Sequence, residues 1–324
     1  MSIALSDLKI HGSASMPDDD TPTQIGGAID TQKKPVFSDV GAAIQCVSSA
    51  GGDTTQTVTV HYRDSAGNKQ SEVKTLSGQT PVAFTATPER LLKAIKSATC
   101  AGDVAVEAAT AERAGTAQAG TGVTITLDAG ASASNDFYNG MVIRLTSGTG
   151  NGQIREIIAY DGTTKVATVG YQWGTTPDAT SVFRIAKGMV FDKSPAEILE
   201  CRRAFSDAGA NPAGGATKEY HEKWFLKNTH GSLALTSAVV KEIADPSGLI
   251  TFMLPASVDD SGTNGSGNNR LVAPSGTFDS ANKNVPTGSL AAGSAIGVWG
   301  KLTLAGGAAQ QKTTYTPQLE GNTT

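Results

Sequence analysis

Four histidines, His11, His61, His221 and His230, are the side chains of this chain best suited to bind a metal ion or move a proton near neutral pH. Their spacing does not assemble a site. There is no HExxH pair, and His221 and His230 stand nine residues apart on an expected strand and turn, with no third ligand to complete a zinc set. Surface or core imidazoles are the simpler reading. The acidic clusters Asp18-Asp19-Asp20 and Asp259-Asp260 offer oxygen ligands of the kind Ca²⁺ takes, yet neither fits the spacing of a calcium loop, and clustered loop carboxylates are usually solvated. Gly148, Gly150 and Gly152 are spaced like a phosphate cradle. Such a cradle needs the amides of a helix N-terminus, and these glycines sit between two strand patterns, where they are turn residues. No GxSxG elbow is present, no pair of carboxylates is flagged for glycoside cleavage, and 6% aromatics leave little for a sugar-stacking cleft. No catalytic residue, cofactor site or metal ligand is nominated. Trp173, Trp224 and Trp299 suit either interface anchors or core positions, and alternating strands favour the core.

The elements around these residues read as β throughout. The plainest is a hairpin: Met141-Val142-Ile143-Arg144-Leu145, a Ser147–Gly152 turn, then Ile154-Arg155-Glu156-Ile157-Ile158. Upstream, residues 55–62 and 69–76 form a strand and its return around a turn at 64–68, followed by Val82–Thr85 and Val104–Glu107. Residues 90–96 suit a strand or a short helix. Together these predict a sandwich of about 100 residues. A run of small residues at 114–122 reads as a linker into a unit of roughly 70 residues, compact or barrel-like. Its expected core is Ile125, Leu127, Met141, Ile143, Ile157, Val166, Val169, Trp173 and Phe183. Ser194 through Arg203 carries a helix start, with Ser194 at N-cap and Pro195 at N1. A third β unit then runs from 219 to 304, broken by a Gly, Ser, Asn and Pro-rich excursion at 256–288 that predicts a long exposed loop.

With 324 residues the chain has room for two or three domains of roughly 100 to 150 residues each. Charged residues make up 17%, well under the usual value of about 25%, and glycine is abundant at 37. The net charge of −4, with no Lys/Arg run longer than two, argues against nucleic acid and against an anionic membrane surface as partners. Cys46, Cys100 and Cys201 are too scattered for a disulfide framework or a CxxC site, and read as small buried hydrophobes. Met1–Asp7 lacks the basic start and apolar core of a signal peptide, and no stretch approaches a membrane span, so synthesis and retention in a cytosol, with release by lysis, is expected.

Three stretches carry a likeness to known proteins. They are Ser6–Asp20 with Gly26–Asp30; Tyr138–Gln153 continuing through Lys165–Val169 to Trp173; and Lys223–Thr236 with Leu290–Trp299. In pattern and phrasing they resemble structural proteins of tailed-phage virions, the middle stretch being similar to a small β module that recurs among them. The resemblance implies a non-enzymatic particle component, assembled in the host cytoplasm and found in the virion, with the major capsid protein or neighbouring virion proteins as partners and a homo-oligomeric state. It carries no site residues.

The expected fold is all-β: β-sandwich domains of immunoglobulin-like or jelly-roll-like type with a small inserted barrel-like module, divided as 1–114, 115–187 and 188–324. The function expected first is a capsid decoration or cement protein. A neck, collar or tail component and a glycan-binding adhesion module are the alternatives. Candidate contact residues lie in the 264–270 loop, Asn264, Asn268, Asn269 and Arg270, and in the N-terminal arm at Asp18, Asp19 and Asp20. Residues 1–36 and 306–324, polar and poor in core residues, are expected to drape over neighbours.

Overall fold

The computed structural model describes residues 2–3, 7–17, 23–35, 43–66, 68–193, 200–202, 204–205, 210–264, 270–309 and 315–323. Among them there is no helix, and all the strand pairs whose register is given are antiparallel, so the all-β expectation holds. The chain forms two compact units: one joins Met1–Phe37 to Arg202–Thr324, and the other is Ser38–Cys201.

The N-terminal segment contributes β1 (Leu8–Ser15), β2 (Gly26–Asp30) and β3 (Lys33–Pro35). The Ser38–Cys201 unit holds β4 (Ile44–Ser48), β5 (Thr57–Arg63), β6 (Lys69–Thr75), β7 (Val82–Ala83), β8 (Arg90–Lys96), β9 (Val104–Ala108), β10 (Arg113–Thr116), β11 (Ala119–Gly120), β12 (Thr124–Thr126), β13 (Val142–Ser147), β14 (Ile154–Asp161), β15 (Val166–Val169), β16 (Val182–Ala186) and β17 (Gly188–Phe191), and β18 (Glu200–Arg202) runs across its end. The remainder holds β19 (Lys218–Asn228), β20 (Leu235–Ala244), β21 (Ile250–Met253), β22 (Lys283–Asn284), β23 (Ser289–Leu290), β24 (Ala295–Leu304) and β25 (Thr316–Thr323).

In the unit built from both ends of the chain, one sheet has the order β2-β1-β19-β24-β21 and a second is β22-β20-β23 with β25 against β20. Tyr220, Trp224 and Leu226 of β19 and Ile296, Val298, Leu302 and Leu304 of β24 meet Leu235, Ala238 and Val240 of β20 and Leu319 of β25 in one core. That is sheet-on-sheet packing, with alternate residues turned inward. The opposite face of β19 is covered as well. Met16, Ile25, Met253 and Trp299 form a second cluster, which explains why this strand lacks clean alternation in sequence.

Both termini depart from expectation. Residues 8–15 do not drape outward: β1 pairs with β19 from Leu8↔Asn228 to Gly12↔Trp224, and β25 pairs with β20 through Val240↔Leu319. Polar side chains on one face of these strands hid the buried face on the other. The 256–288 excursion is likewise tied down where described, by bridges Gly26↔Thr263 and Phe252↔Asp279 and by β22. Of the expected helix at 194–203, Ser194–Leu199 lies outside the described residues and Glu200–Arg202 is extended. Over 200–202 the backbone takes its partners from a sheet.

In the other unit, β17-β9-β4-β7 form one sheet, β8, β5 and β6 lie side by side in another, and seven strands run β10-β16-β13-β14-β15-β12-β11. Residues 90–96 are therefore strand. The seven strands form an open sheet, not a closed barrel. Yet β10 and β11, its two edges, are separated in sequence only by Ala117 and Gln118, so the sheet curls until its edges meet around a core. That core contains Ile125, Leu127, Ile143, Ile157, Val169, Trp173 and Phe183, with Met141 half-buried against it; Val166 is half-exposed and stands outside it. The small residues read as a linker at 114–122 are these edge strands. Gly115 lies so close to the Asp128 carboxylate that an added Cβ would stand 2.7 Å from Oδ1, and one on Gly120 would stand 2.6 Å from Pro177 O.

The Ser147–Gly152 turn is the hairpin read from the sequence, with φ of 74°, 78° and 89° at Gly148, Gly150 and Gly152. A Cβ on Gly148 would stand 1.9 Å from the Thr180 carbonyl oxygen, whereas at Gly140, φ 76°, it would meet nothing within 4 Å. Gly140→Ala therefore carries only the left-handed backbone cost, about 1 to 2 kcal/mol. Gly148→Ala adds displacement of backbone and is expected to lower the melting temperature well beyond Gly140→Ala in scanning calorimetry; equal shifts would contradict the close approach.

Candidate functional site

Among the described residues, three buried ionic centres concentrate charged side chains. In the Ser38–Cys201 unit, Glu107 of β9 is fully buried, and its Oε1 accepts from Gln45 Nε2 at 2.7 Å, from Arg144 at 3.3 Å and from Arg184 at 3.3 Å. Arg184 also donates to the carbonyls of Ala108 and Ala109, so one carboxylate and two guanidiniums connect β4, β9, β13 and β16. Close by in sequence, Arg155 of β14 donates to Asp103 at 2.9 Å and to the carbonyls of Gln172 and Ile154, and lies 4.2 Å over the Tyr171 ring. Asp103 also accepts from the Lys193 amide at 3.1 Å. Burial pushes the Tyr171 phenol up, so it stays neutral.

In the terminal unit, Lys223 sits in the middle of β19 with its side chain fully buried. Its Nζ donates to Gly27 O at 2.9 Å, Asp260 Oδ2 at 2.6 Å and Gly262 O at 2.9 Å, and faces the rings of Phe225 and Trp299. An ammonium has three protons, and each has an acceptor. Burial lowers the Lys223 pKa and the Asp260 carboxylate opposes it. As a cation with every proton engaged, Lys223 is a staple between β19, the start of β2 and the 260–262 turn, not a nucleophile.

The histidines are placed individually. His221 is buried in β19, its Nδ1 3.0 Å from Arg270 O and its ring edge-on to Phe278, and burial lowers its pKa. His11 of β1 is pushed down to about 4, by burial first and then by Lys227, Lys34 and Lys9. His230 Nδ1 accepts the amides of Ser232 and Leu233 in a turn. Among the described residues no group of three His, Cys, Asp or Glu side chains could hold a metal ion. Cys46 and Cys100 are buried thiols, raised to about 12 and about 11 by burial, as expected of small hydrophobes. All three tryptophans are buried.

Of the candidate contact residues, Asp18, Asp19, Asp20, Asn268 and Asn269 lie outside the described residues. Asn264 and Arg270, expected on an exposed connection, are buried, at 6% and 0% exposure. Asn264 Oδ1 accepts the Ile25 amide at 3.1 Å, and Arg270 donates to Pro17 O while its own carbonyl accepts the His221 amide at 2.7 Å. These two side chains bond to the N-terminal segment. A Gly, Ser and Asn-rich run predicts irregular backbone, and where such backbone is buried its polar groups need partners inside the protein. The buried centres at Glu107, Asp103–Arg155 and Lys223 were not anticipated. Their only signal is a charge set among buried strand residues, as in Tyr220-His221-Glu222-Lys223-Trp224.

A shallow surface groove lies on the β20–β25 ribbon of the terminal unit, where Leu235, Val239 and Lys241 meet Glu320, with Ile3 and Leu8 at its margin. Lys241 and Glu320 form an ion pair across it. The groove has neither a buried polar group aimed into it nor a convergent set of titratable side chains.

No family model, curated protein or solved structure matches the chain.

Two outcomes follow from the buried centres. Glu107→Ala leaves two arginines facing a buried void and is expected to cost about 3 to 5 kcal/mol in denaturant unfolding; a loss under 1 kcal/mol would show the network to be solvated. His11 has a lower pKa folded than unfolded, so between pH 6.5 and about 4 the unfolded chain binds more protons. That stability is complete above pH 6.5 and is lost as pH falls toward 4, by up to about 3 kcal/mol. Tryptophan-monitored urea titrations at pH 7 and pH 4.5 should show the drop, and His11→Gln should flatten it.

Proposed function

We propose that this chain is a non-enzymatic structural component of a tailed-phage particle, and first of all a decoration or cement protein that binds the assembled capsid lattice. The observation that carries the reading is where the three phage-like stretches fall. They are architecture: the β13–β14 hairpin with its positive-φ glycines, the β1–β2 pair, and β19 with β24, whose ladder runs from Lys218↔Leu304 to Lys227↔Ala295. Likeness concentrated in strands and turns fits a protein whose shape is its role.

The buried chemistry points the same way. Glu107, Arg144, Arg184, Asp103, Arg155, Lys223 and Asp260 are engaged in bonds that hold strands and loops together. A protein that binds only the assembled lattice stabilises it by mass action, and rigid sandwiches do so without reorganising. The near-neutral net charge suits an outer surface away from packaged DNA.

The test is the copy number in purified particles, by quantitative mass spectrometry normalised to the major capsid protein. A decoration protein is expected at roughly one copy per one to three capsid subunits, as lattice symmetry requires. About a dozen copies per particle would replace this reading with a neck, collar or tail position. Absence from particles would end the structural reading, and glycan binding would then be the reading to pursue.

A further inference from the structure

Strand β6 is the outer edge of the sheet it shares with β5 and β8, and among the described residues no strand or backbone hydrogen bond occupies its free side. Its bonding parity is set by its neighbours. The Leu76 amide donates to Gln56 O and the Asp64 amide to Asn68 O, and the register passes through Val58↔Lys74, Val60↔Glu72 and Tyr62↔Gln70. Even-numbered residues of β6 therefore turn N–H and C=O toward β5, while Ser71, Val73 and Thr75 turn theirs outward. On the side-chain level, Val73 is 56% exposed, the most exposed of the large apolar residues described. A bare ladder with an exposed valine at its middle is an edge that natural sheets usually blunt.

The geometry points to β6 as a homotypic docking edge, on which two copies of this chain pair antiparallel about a two-fold axis at Val73 and join their β8-β5-β6 sheets into one. The partner follows from symmetry and charge. Directly opposed residues in an antiparallel ladder share a face, and a two-fold normal to the sheet preserves faces, so some residue must stand opposite its own copy. Centring on Glu72 opposes Glu72 to itself, and centring on Lys74 opposes Lys74 to itself; like charges directly opposite are unfavourable. Centring on Ser71 forms no charge pair and sets Lys69 against Val73. Only the Val73 register places Glu72 of each copy against Lys74 of the other, Ser71 against Thr75, and valine against valine.

Val73 is also one of the residues whose backbone groups point outward, so the central pair would exchange both hydrogen bonds. The charges are already in place on one face. Glu72 accepts the amides of Thr85 at 2.9 Å and Ala86 at 2.8 Å, and Lys74 Nζ lies 2.8 Å from its Oε1. Pairing would turn this single ion pair into an alternating square of four charges. A ladder this short is a weak contact, suited to copies already held at high local concentration. The inference goes beyond the particle reading and does not depend on it.

The test is disulfide trapping in the full chain. In a hydrogen-bonded antiparallel pair the two Cα atoms are about 5.5 Å apart, inside the range of about 4.4 to 6.8 Å that a disulfide spans. Val73→Cys is expected to give a cross-linked dimer as the main product of mild oxidation at high protein concentration. Gln70→Cys, whose copies would lie about 20 Å apart in this register, is expected to remain monomeric. Adding Lys74→Glu to Val73→Cys should slow cross-linking several-fold, since carboxylates then face each other on both sides of the axis. The proposal is overturned if Val73→Cys reacts with maleimide yet cross-links no faster than Gln70→Cys, or if Lys74→Glu leaves its rate unchanged.

Discussion

A strand covered on both faces must find every polar partner inside the protein, and β19 is such a strand. Trp224 and Leu226 face one core, His221 and Lys223 the other side, and Lys223 is a full positive charge with no solvent to hydrate it. The desolvation cost of an isolated buried ammonium would exceed the stability of a domain, so its acceptors are obligatory. Two of them, Gly27 O and Gly262 O, are backbone groups of segments far apart in sequence. Burying this one charge thus dictates where the start of β2 and the 260–262 turn must lie. The Gly26↔Thr263 bridge, and the Trp299 ring lying where a Cβ on Gly26 would stand, follow from the same placement.

The same logic recurs in the other unit with carboxylates at the centre. Glu107 is reached by Gln45, Arg144 and Arg184, and Asp103 by Arg155 and the Lys193 amide. Buried ion pairs of this kind add little net stability against an apolar replacement, but they penalise any register that separates the partners. In a unit built of short strands, several only two to five residues long, the ladder alone specifies register weakly, and polar centres spanning several strands supply the missing constraint. Glycine plays the complementary part. At Gly115 and Gly300 a neighbouring side chain, Asp128 or Trp224, occupies the space a Cβ would need.

A molecule organised in this way places its chemistry where it fixes shape and leaves strand edges and exposed turns for contact. That division supports the structural role we propose. It also makes β6 conspicuous: an edge strand whose mostly polar side chains lie largely in solvent, with the exposed Val73 at its middle.

Much of the local structure was legible in the residues. Alternation of apolar and polar side chains, and glycine where φ must be positive, are properties of adjacent residues, and they determined the β class, the 147–152 hairpin, the pairing of β5 with β6, and most of the core of the curled sheet. The termini, the 114–122 segment and the 256–288 excursion read as arms, linker and open loop because their sequences are small or polar, and only the fold supplies their partners: β19 for β1, β20 for β25, Asp128 and Pro177 for the close-packed glycines. The same holds for the burial of Asn264 and Arg270 and for the acceptors of Lys223. A hydrogen bond or an ion pair between residues hundreds of positions apart leaves no periodic trace along the chain, because its register is set by packing two faces together and by the need to satisfy what that packing removes from water.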